Sequence, residues 1–268
     1  MRHCTYRSLR STVPVACAAL ATSLFTVRPC SADVLNASSN GYGVSADVHL
    51  VSTLVGINVP AVPVAAGTAP APYDTNAMLL SLNVSATGVA SLQTGLLTSH
   101  AVSDVTGTGG GLARGESVVN GLNLRVLPGI VSVLDTLNAG ATTITSMAQL
   151  TSDGVTITPL GTSHLENASI YVLGVGNLAI NANAAPNTVL LDLLGIRIIL
   201  NEQILTTVGN TTTFQVNAIH ITIDSPLQLV DADVVVAHSE ASMTVPTPGV
   251  AASLAGIGAL GAMRRRRR

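Results

Sequence analysis

The chain has 268 residues, of which 47% are hydrophobic, 2% aromatic and 10% charged, whereas a soluble domain normally carries about 25% charged residues. All 12 basic residues are arginines. Four of them precede residue 30 and five end the chain, so the segment between has three arginines, all 14 acidic residues and a formal charge of −11. Nucleic acids and anionic membrane surfaces bind clustered Lys and Arg, so this charge excludes nucleic acid as a partner.

The first 32 residues have the three parts of a secretory signal peptide. Three arginines within the first ten residues are followed by an apolar stretch from Val13 to Val27 and by the small residues Ser31 and Ala32. This order predicts a signal helix over residues 1–32, cleaved by signal peptidase after Ala32; a buried N-terminal helix is the alternative. All three cysteines precede the cut, so we expect an exported chain without a disulfide or a thiolate metal site.

Residues 244–268 form a tail in three parts. The segment Val245, Pro246, Thr247 and Pro248 precedes an apolar stretch from Val250 to Met263, which is followed by the five arginines Arg264, Arg265, Arg266, Arg267 and Arg268. As a helix the apolar stretch would be about 21 Å long, shorter than the ~30 Å hydrocarbon core of a bilayer. Because arginines prefer the cytoplasmic side, we expect transient membrane contact; a short tail anchor is the alternative.

This tail resembles the PEP-CTERM sorting signal of bacteria, with Thr247 at the place where that signal usually has Glu. The resemblance implies processing by an exosortase-type membrane protease. It also implies delivery of the protein to the cell surface or the extracellular matrix of a bacterium.

Residues 33–243 have the pattern of one extracellular β domain. Short runs alternate between apolar and polar residues and are separated by Gly, Asn and Pro, as from Tyr42 to Leu50 and from Leu122 to Val126. Period-2 patterning rich in Val, Ile and Thr is typical of half-buried strands. The pattern predicts an all-β antiparallel sandwich or flattened barrel, with a β-solenoid as the alternative, although no repeat of fixed period is found.

Two local features give sharper expectations. Pro60, Pro63, Pro70 and Pro72 interrupt an Ala-rich segment, which predicts a long surface loop. The segment from Ile196 to Ile223 predicts a hairpin whose two-residue turn, Gly209-Asn210, suits type II′. Its paired residue numbers would then sum to 419, as in Leu205 opposite Phe214.

Three stretches towards the end of the domain, 200–203, 216–221 and 232–241, resemble the choice-of-anchor P family in order and spacing. The resemblance is strongest over residues 196–241, and Tyr42-Gly43-Val44 matches a common opening of that family. That family contains exported bacterial proteins whose shared extracellular domain ends in one of several anchoring signals. The resemblance implies a surface-displayed β domain and no particular activity.

Two groups of residues are candidates for chemistry. Asp224, Asp231 and Asp233 lie close together in the sequence, and their hard oxygen ligands would suit calcium; a solvated acidic rim is the other interpretation. His220 and His238 would approach each other if their strands are neighbours, but alternation should turn His238 and Ser239 to opposite faces. This pattern favours histidines with a structural role, and the sequence has no recognised nucleophile, zinc or phosphate-binding motif.

The arrangement of signal, cysteine-free β domain and sorting tail predicts an exported cell-surface or matrix protein that is not an enzyme and needs no cofactor. The alternative is a calcium-dependent polysaccharide-binding or adhesive module. Its partner would be an extracellular polysaccharide.

Overall fold

The structure is a computed structural model that describes residues 33–50, 55–126, 131–135, 142–193, 195–224 and 230–246, without the side chains of residues 133–135. These residues contain 17 β-strands and no helix. Every strand pair among them is antiparallel, and none of the three sheets closes on itself, so the expectation of an all-β sandwich is confirmed and neither a closed barrel nor a solenoid is formed. The helices expected for the signal and the tail lie outside the described residues.

The long sheet has six strands in the order β14-β15-β16-β17-β1-β2. They are β1 (Asn36–Leu50), β2 (Gly56–Ala69), β14 (Thr188–Leu193), β15 (Ile196–Val208), β16 (Thr211–Asp224) and β17 (Val230–Thr244). The last strand, β17, lies between β16 and β1 and pairs with both along its whole length. Asn36 at the start of β1 is opposite Thr244 at the end of β17, so both ends of the domain lie at the same end of the sheet.

Two shorter sheets form the other layer. The first short sheet, in the order β11-β10-β7-β6-β3, contains β3 (Tyr73–Leu79), β6 (Leu97–Ser103), β7 (Gly111–Asn120), β10 (Thr143–Ser152) and β11 (Ile157–Glu166). The second short sheet, in the order β13-β12-β9-β8-β5-β4, contains β4 (Leu82–Ala86), β5 (Ala90–Thr94), β8 (Asn123–Val126), β9 (Val131–Asp135), β12 (Ala168–Val172) and β13 (Gly176–Leu178).

These two short sheets are one layer with a bend. Strands β3, β5, β7 and β11 continue after one or two residues into β4, β6, β8 and β12, in the same lateral order. Positive φ angles at Gly121 (63°) and Asn167 (55°) turn the chain at two of these junctions. The long sheet spans both halves, and two apolar clusters fill the space between the layers.

The long sheet accommodates this bend by a change in side-chain direction. Along each of four strands, the positions that face the other layer change from one alternate set of residues to the other. The reversal follows one row across four strands: Gly43, Ala237, Ala218 and Asn201. At this row two consecutive residues are buried on β1, Gly43 and Val44, and four on each of the other three strands, so the parity of the inward positions changes. Ala237 and Asn201 have φ values of 52° and 49°, and a Cβ on Gly43 would lie 3.2 Å from the Cβ of Leu97 at the bend.

Two sequence expectations fail for identifiable reasons. Pro60 and Pro63 lie in β2 and not in a loop, because β2 is the edge of the long sheet and a bulge opposite Val44 to Ala46 accommodates the extra residue. Pro70 and Pro72 do lie in the turn that follows. The alternation from Tyr42 to Leu50 is also broken, since the reversal turns Tyr42 away from the face that buries Val44.

The expected hairpin is confirmed. β15 and β16 pair from Ile196 opposite Ile223 to Val208 opposite Thr211, and Leu205 is opposite Phe214. Gly209 has a φ of 60° and Asn210 has no positive φ, as a type II′ turn requires. The inward positions of β16 on either side of the reversal are β-branched or aromatic, which suits a packed sheet face: Phe214, Val216, Ile219, Ile221 and Ile223.

The two layers approach most closely where glycine replaces a side chain. A Cβ on Gly115 of β7 would lie against the backbone carbonyl oxygen of Asn40 and 2.7 Å from that of Glu240. Both atoms belong to backbone and cannot rotate away. The first short sheet can therefore rest on β1 and β17 only because position 115 has no side chain.

We expect Gly115→Ala to lower the free energy of unfolding by about 1–3 kcal/mol, because the methyl group overpacks the interface between layers. Gly95→Ala is the matched control, since a Cβ there would be 3.3 Å from its nearest neighbour and neither glycine has a positive φ. Urea unfolding of the two variants measures the difference. Equal losses would show that the close approach at Gly115 is not a constraint.

Candidate binding site on the long sheet

The outer face of the long sheet, which points away from the other layer, carries a row of four cross-strand neighbours. Tyr42 is opposite His238, His238 is opposite Asn217, and Asn217 is opposite Glu202. The row is adjacent to the row at which side-chain direction reverses. Four residues from β1, β17, β16 and β15 are thereby aligned across the strands.

Each neighbour in this row contacts the next. The rings of Tyr42 and His238 are stacked, with centroids 4.4 Å apart and an angle of 18° between the planes. His238 Nδ1 donates to Asn217 Oδ1 at 2.6 Å, and Asn217 Nδ2 donates to Glu202 Oε2 at 2.8 Å. Because the amide of Asn217 donates to a carboxylate, its oxygen must face the imidazole, which makes Nδ1 the protonated nitrogen of His238.

His220 connects this row to the other side of the reversal. Its Nδ1 contacts Glu202 Oε2 at 2.7 Å and its Nε2 contacts Asp233 Oδ1 at 3.0 Å. The hydrogen bond to Glu202 is the main cause that raises the pKa of His220, and the bond from His220 lowers the pKa of the Glu202 carboxyl. A protonated His220 donates both of its N–H groups to carboxylates.

His238 has the opposite preference. It is 7% exposed, and burial lowers the pKa of its imidazole to about 4. Its ring is therefore neutral at pH 7, with Nδ1 used by Asn217 and Nε2 as a hydrogen-bond acceptor. The pKa values of two histidines on neighbouring strands are thus shifted in opposite directions.

Polar pairs continue along β16 and β17 towards the ends of the domain. Gln215 Nε2 donates to Glu240 Oε2 at 2.7 Å. Hydroxyl pairs follow at 3.0 Å (Thr213 with Ser242) and at 2.8 Å (Thr211 with Thr244). This outer face is consequently a ladder of polar side chains.

An open depression of about 600 Å³ lies over the row. Its polar lining comes from the four residues of the row together with His220, Asp233, Gln215, Glu240 and Asn40. Its apolar walls are Ala61, Val64 and Ala66 on β2, with Ile204 and Val235. A shallow surface with polar groups and small apolar walls can bind a polar ligand along the sheet.

The three aspartates expected as calcium ligands are only partly brought together. Asp224 and Asp231 are opposite each other on β16 and β17, and both are exposed. Asp233 accepts from His220. Residues 225–229, which connect these strands, lie outside the described residues. The described residues contain no group of three or more His, Cys, Asp or Glu side chains that could hold a metal ion. Calcium binding stays a prediction.

The expectation for His238 and Ser239 agrees with the structure. Ser239 is fully buried and its hydroxyl contacts the carbonyl oxygen of Val216 at 3.5 Å, whereas His238 lines the outer depression. His220 and His238 do lie on neighbouring strands at one site. Sequence reasoning missed Tyr42, Asn217 and Glu202 as members of this site, because the row becomes visible only once the register across four strands is known.

Two further histidines are held between pairs of carboxylates elsewhere. His100, on the first short sheet, contacts Asp74 at 2.8 Å and Glu116 at 3.1 Å. Burial opposes protonation of His100, but these two hydrogen bonds outweigh it and raise its pKa. His49 lies 3.7 Å from Asp47 and 3.8 Å from Asp231.

Of the proposed sorting signal, Val245 and Pro246 are described. Val245 N donates to the carbonyl oxygen of Asn210 at 3.0 Å, so the chain continues along the sheet just beyond β17. Thr247, Pro248, Arg264 to Arg268 and the expected cleavage residue Ala32 lie outside the described residues. Within the described ranges, no helix has the length and apolar character needed to cross a membrane.

No protein-family model and no curated protein matches the chain. Among solved structures, the crystal structure of Ail, the attachment invasion locus protein of Yersinia pestis, matches at 7% sequence identity over 79% of this chain and 98% of that chain. The TM-score is 0.17, which is too low to assign a shared fold or function.

The neutral state of His238 makes stability depend on pH. An unfolded histidine has a pKa of about 6.5, so the contribution of His238 is complete above that value and is lost as pH falls towards 4. His238→Gln keeps a donor for Asn217 but does not titrate. We expect the stability advantage of the wild type over this variant to shrink by about 3 kcal/mol between pH 7 and pH 4.

Urea unfolding at both pH values measures this change. His164→Gln is the matched control, because His164 Nδ1 makes the same kind of contact with Asn183 Oδ1, at 2.9 Å on an exposed part of β11. A difference between wild type and His238→Gln that stays constant with pH would contradict the assigned neutral state.

Proposed function

We propose that the protein is an exported bacterial protein of the cell surface or extracellular matrix, and that its β domain binds polysaccharide on the outer face of the long sheet. The support for export is the order of the segments. A signal-like start precedes a cysteine-free domain, which precedes a tail that resembles a PEP-CTERM signal. Choice-of-anchor P membership would agree with this order.

The observation that carries the binding proposal is the depression over the polar row. Polysaccharides present hydroxyl groups at many points along an extended chain, and an open surface lined by amides, carboxylates and imidazoles can accept or donate to several of them. The small apolar walls from β2 leave room for the ring faces of sugars. Tyr42 supplies an aromatic ring at the β1 end of the row.

A binding role is preferred to catalysis. The polar side chains of the row mostly satisfy one another, and Ser239, the hydroxyl next to His238 in the chain, faces the interior. A calcium-dependent form of the same function is supported by Asp224 and Asp231, because these two exposed carboxylates lie opposite each other beside the site and could both bind one ion.

The intact mass of the protein recovered from the surface fraction of its own host tests the sorting half of the proposal. We expect a mass that lacks residues 1–32 and the apolar-arginine tail, because signal peptidase and a sorting protease would remove them. A mass that retains the five arginines would replace matrix delivery by a membrane tether. Retention of residues 1–32 would contradict export through a cleaved signal.

Binding of the same preparation to polysaccharides from its host tests the other half. We expect Gln215→Ala to weaken binding about three- to tenfold, because it removes a lining amide oxygen that can accept a hydrogen bond worth about 1 kcal/mol from the ligand. Gln149→Ala is the matched control, since Gln149 is a half-buried glutamine on β10 with one hydrogen bond, to Thr151.

Measurements with calcium and with a chelator separate the two forms of this proposal. Binding that is equally tight with calcium and with the chelator would support the polysaccharide site and show that it does not require calcium. Equal binding by both glutamine variants would move the ligand off the long sheet, and absence of binding to any polysaccharide would overturn the proposed function.

A further inference from the structure

The donors and acceptors of the depression are unequally used. Asn217 and Gln215 each direct one of their two amide N–H groups at a carboxylate, that of Glu202 and that of Glu240 respectively. Both nitrogens of His220 are directed at carboxylates. Most of the N–H groups of these three side chains are therefore used inside the site.

The carboxylate oxygens of the site are only partly used as hydrogen-bond acceptors. The bonds to Glu202 both end on Oε2, the bond to Asp233 ends on Oδ1 and the bond to Glu240 ends on Oε2, so a second oxygen of each carboxylate has no hydrogen bond from another described side chain. Asn40 and the hydroxyl of Tyr42 can each donate or accept, and they lie at the β1 side of the depression.

An independent feature points in the same direction. The imidazole of His238 is 93% buried and lines the depression, yet among the described residues only its Nδ1 has a hydrogen-bond partner. Since Nδ1 carries the proton, Nε2 offers a lone pair to the depression. This nitrogen is not itself buried, so water or a ligand in the depression can donate to it.

The charge of the site is negative. Three carboxylates line it, against one histidine that is held between two of them. Arg197 interacts electrostatically with Glu202, but its side chain is 53% exposed, its Nε lies 3.9 Å from Asp192 Oδ2, and it is not part of the lining. The site therefore favours a group that is cationic and carries only donors.

An ammonium group has these properties, with three N–H donors and no acceptor. We propose that the depression binds a polysaccharide through protonated amino groups, so that its ligand is an amino-sugar polymer with free amines. This inference rests on the proposed polysaccharide-binding function and adds the class of sugar. The free carboxylate oxygens and Nε2 of His238 receive the ammonium hydrogens, while Val64 and Ile204 border the sugar rings.

Titration calorimetry with two oligosaccharides of equal length tests this inference. The glucosamine hexamer carries free amines and the N-acetylglucosamine hexamer does not, so they differ in the group that the site should recognise. The protein is the full chain as processed and recovered from its host, at pH 6 in low salt, where glucosamine amines are charged and His238 is still neutral. We expect the glucosamine hexamer to bind at least about tenfold more tightly, since each hydrogen bond to a charged group is worth more than a neutral one.

Glu240→Gln removes one lining charge and should weaken glucosamine binding by about fivefold or more, with little effect on the N-acetylated hexamer. Glu166→Gln is the matched control, because Glu166 is exposed at the end of β11 in the other layer. Thermal melts of both variants establish that they fold. A loss of glucosamine affinity that is the same in Glu240→Gln and Glu166→Gln would overturn the inference.

The remaining outcomes separate the inference from the function on which it rests. Equal binding of both hexamers would overturn the amine preference and leave polysaccharide binding intact. If neither hexamer binds but host polysaccharides without amines do, the amine preference is likewise overturned and polysaccharide binding remains. A lysine hexapeptide that binds as tightly as the glucosamine hexamer would overturn the assignment to a sugar, because charge alone would then suffice.

Discussion

The reversal of side-chain direction across the long sheet is the constraint on which the rest of the molecule depends. A flat six-stranded sheet could not follow a second layer that bends between β3 and β4, β5 and β6, β7 and β8, and β11 and β12. The row through Gly43 and Ala237 accommodates the bend, because consecutive residues are buried there on each of the four strands. Because the parity then changes, polar side chains that would have pointed inwards are placed on the outer face, next to each other.

The candidate site is a direct result of this geometry. Asn217 and His220 are three residues apart on β16, a spacing that would normally direct them to opposite faces. With the reversal between them, both reach the outer face and share the carboxylate of Glu202. Without the reversal, the chain could not place on one surface one histidine whose pKa is raised and one whose pKa is lowered.

The sequence predicts the fold class and the β15 to β16 hairpin because both depend on local signals. Alternation defines strands, and Gly209-Asn210 defines the turn and therefore the register. The site depends on register across four strands and on a reversal, which no local pattern shows; Gly43 and Ala237 look like ordinary small residues. The prolines of β2 mislead for a related reason, since only the sheet order reveals that β2 is an edge.

The position of β17 has a mechanical consequence for a domain held by its C-terminal end. Tension applied beyond Thr244 runs along a strand that is bonded to β16 on one side and to β1 on the other over its whole length. The force would act along β17 and would load all its hydrogen bonds to β16 and to β1 in shear at the same time. It could not break these hydrogen bonds one after another from the end of the strand. If the domain binds a ligand on its outer face and is attached through its tail, tension between the two would act along β17, the direction in which the sheet resists force best.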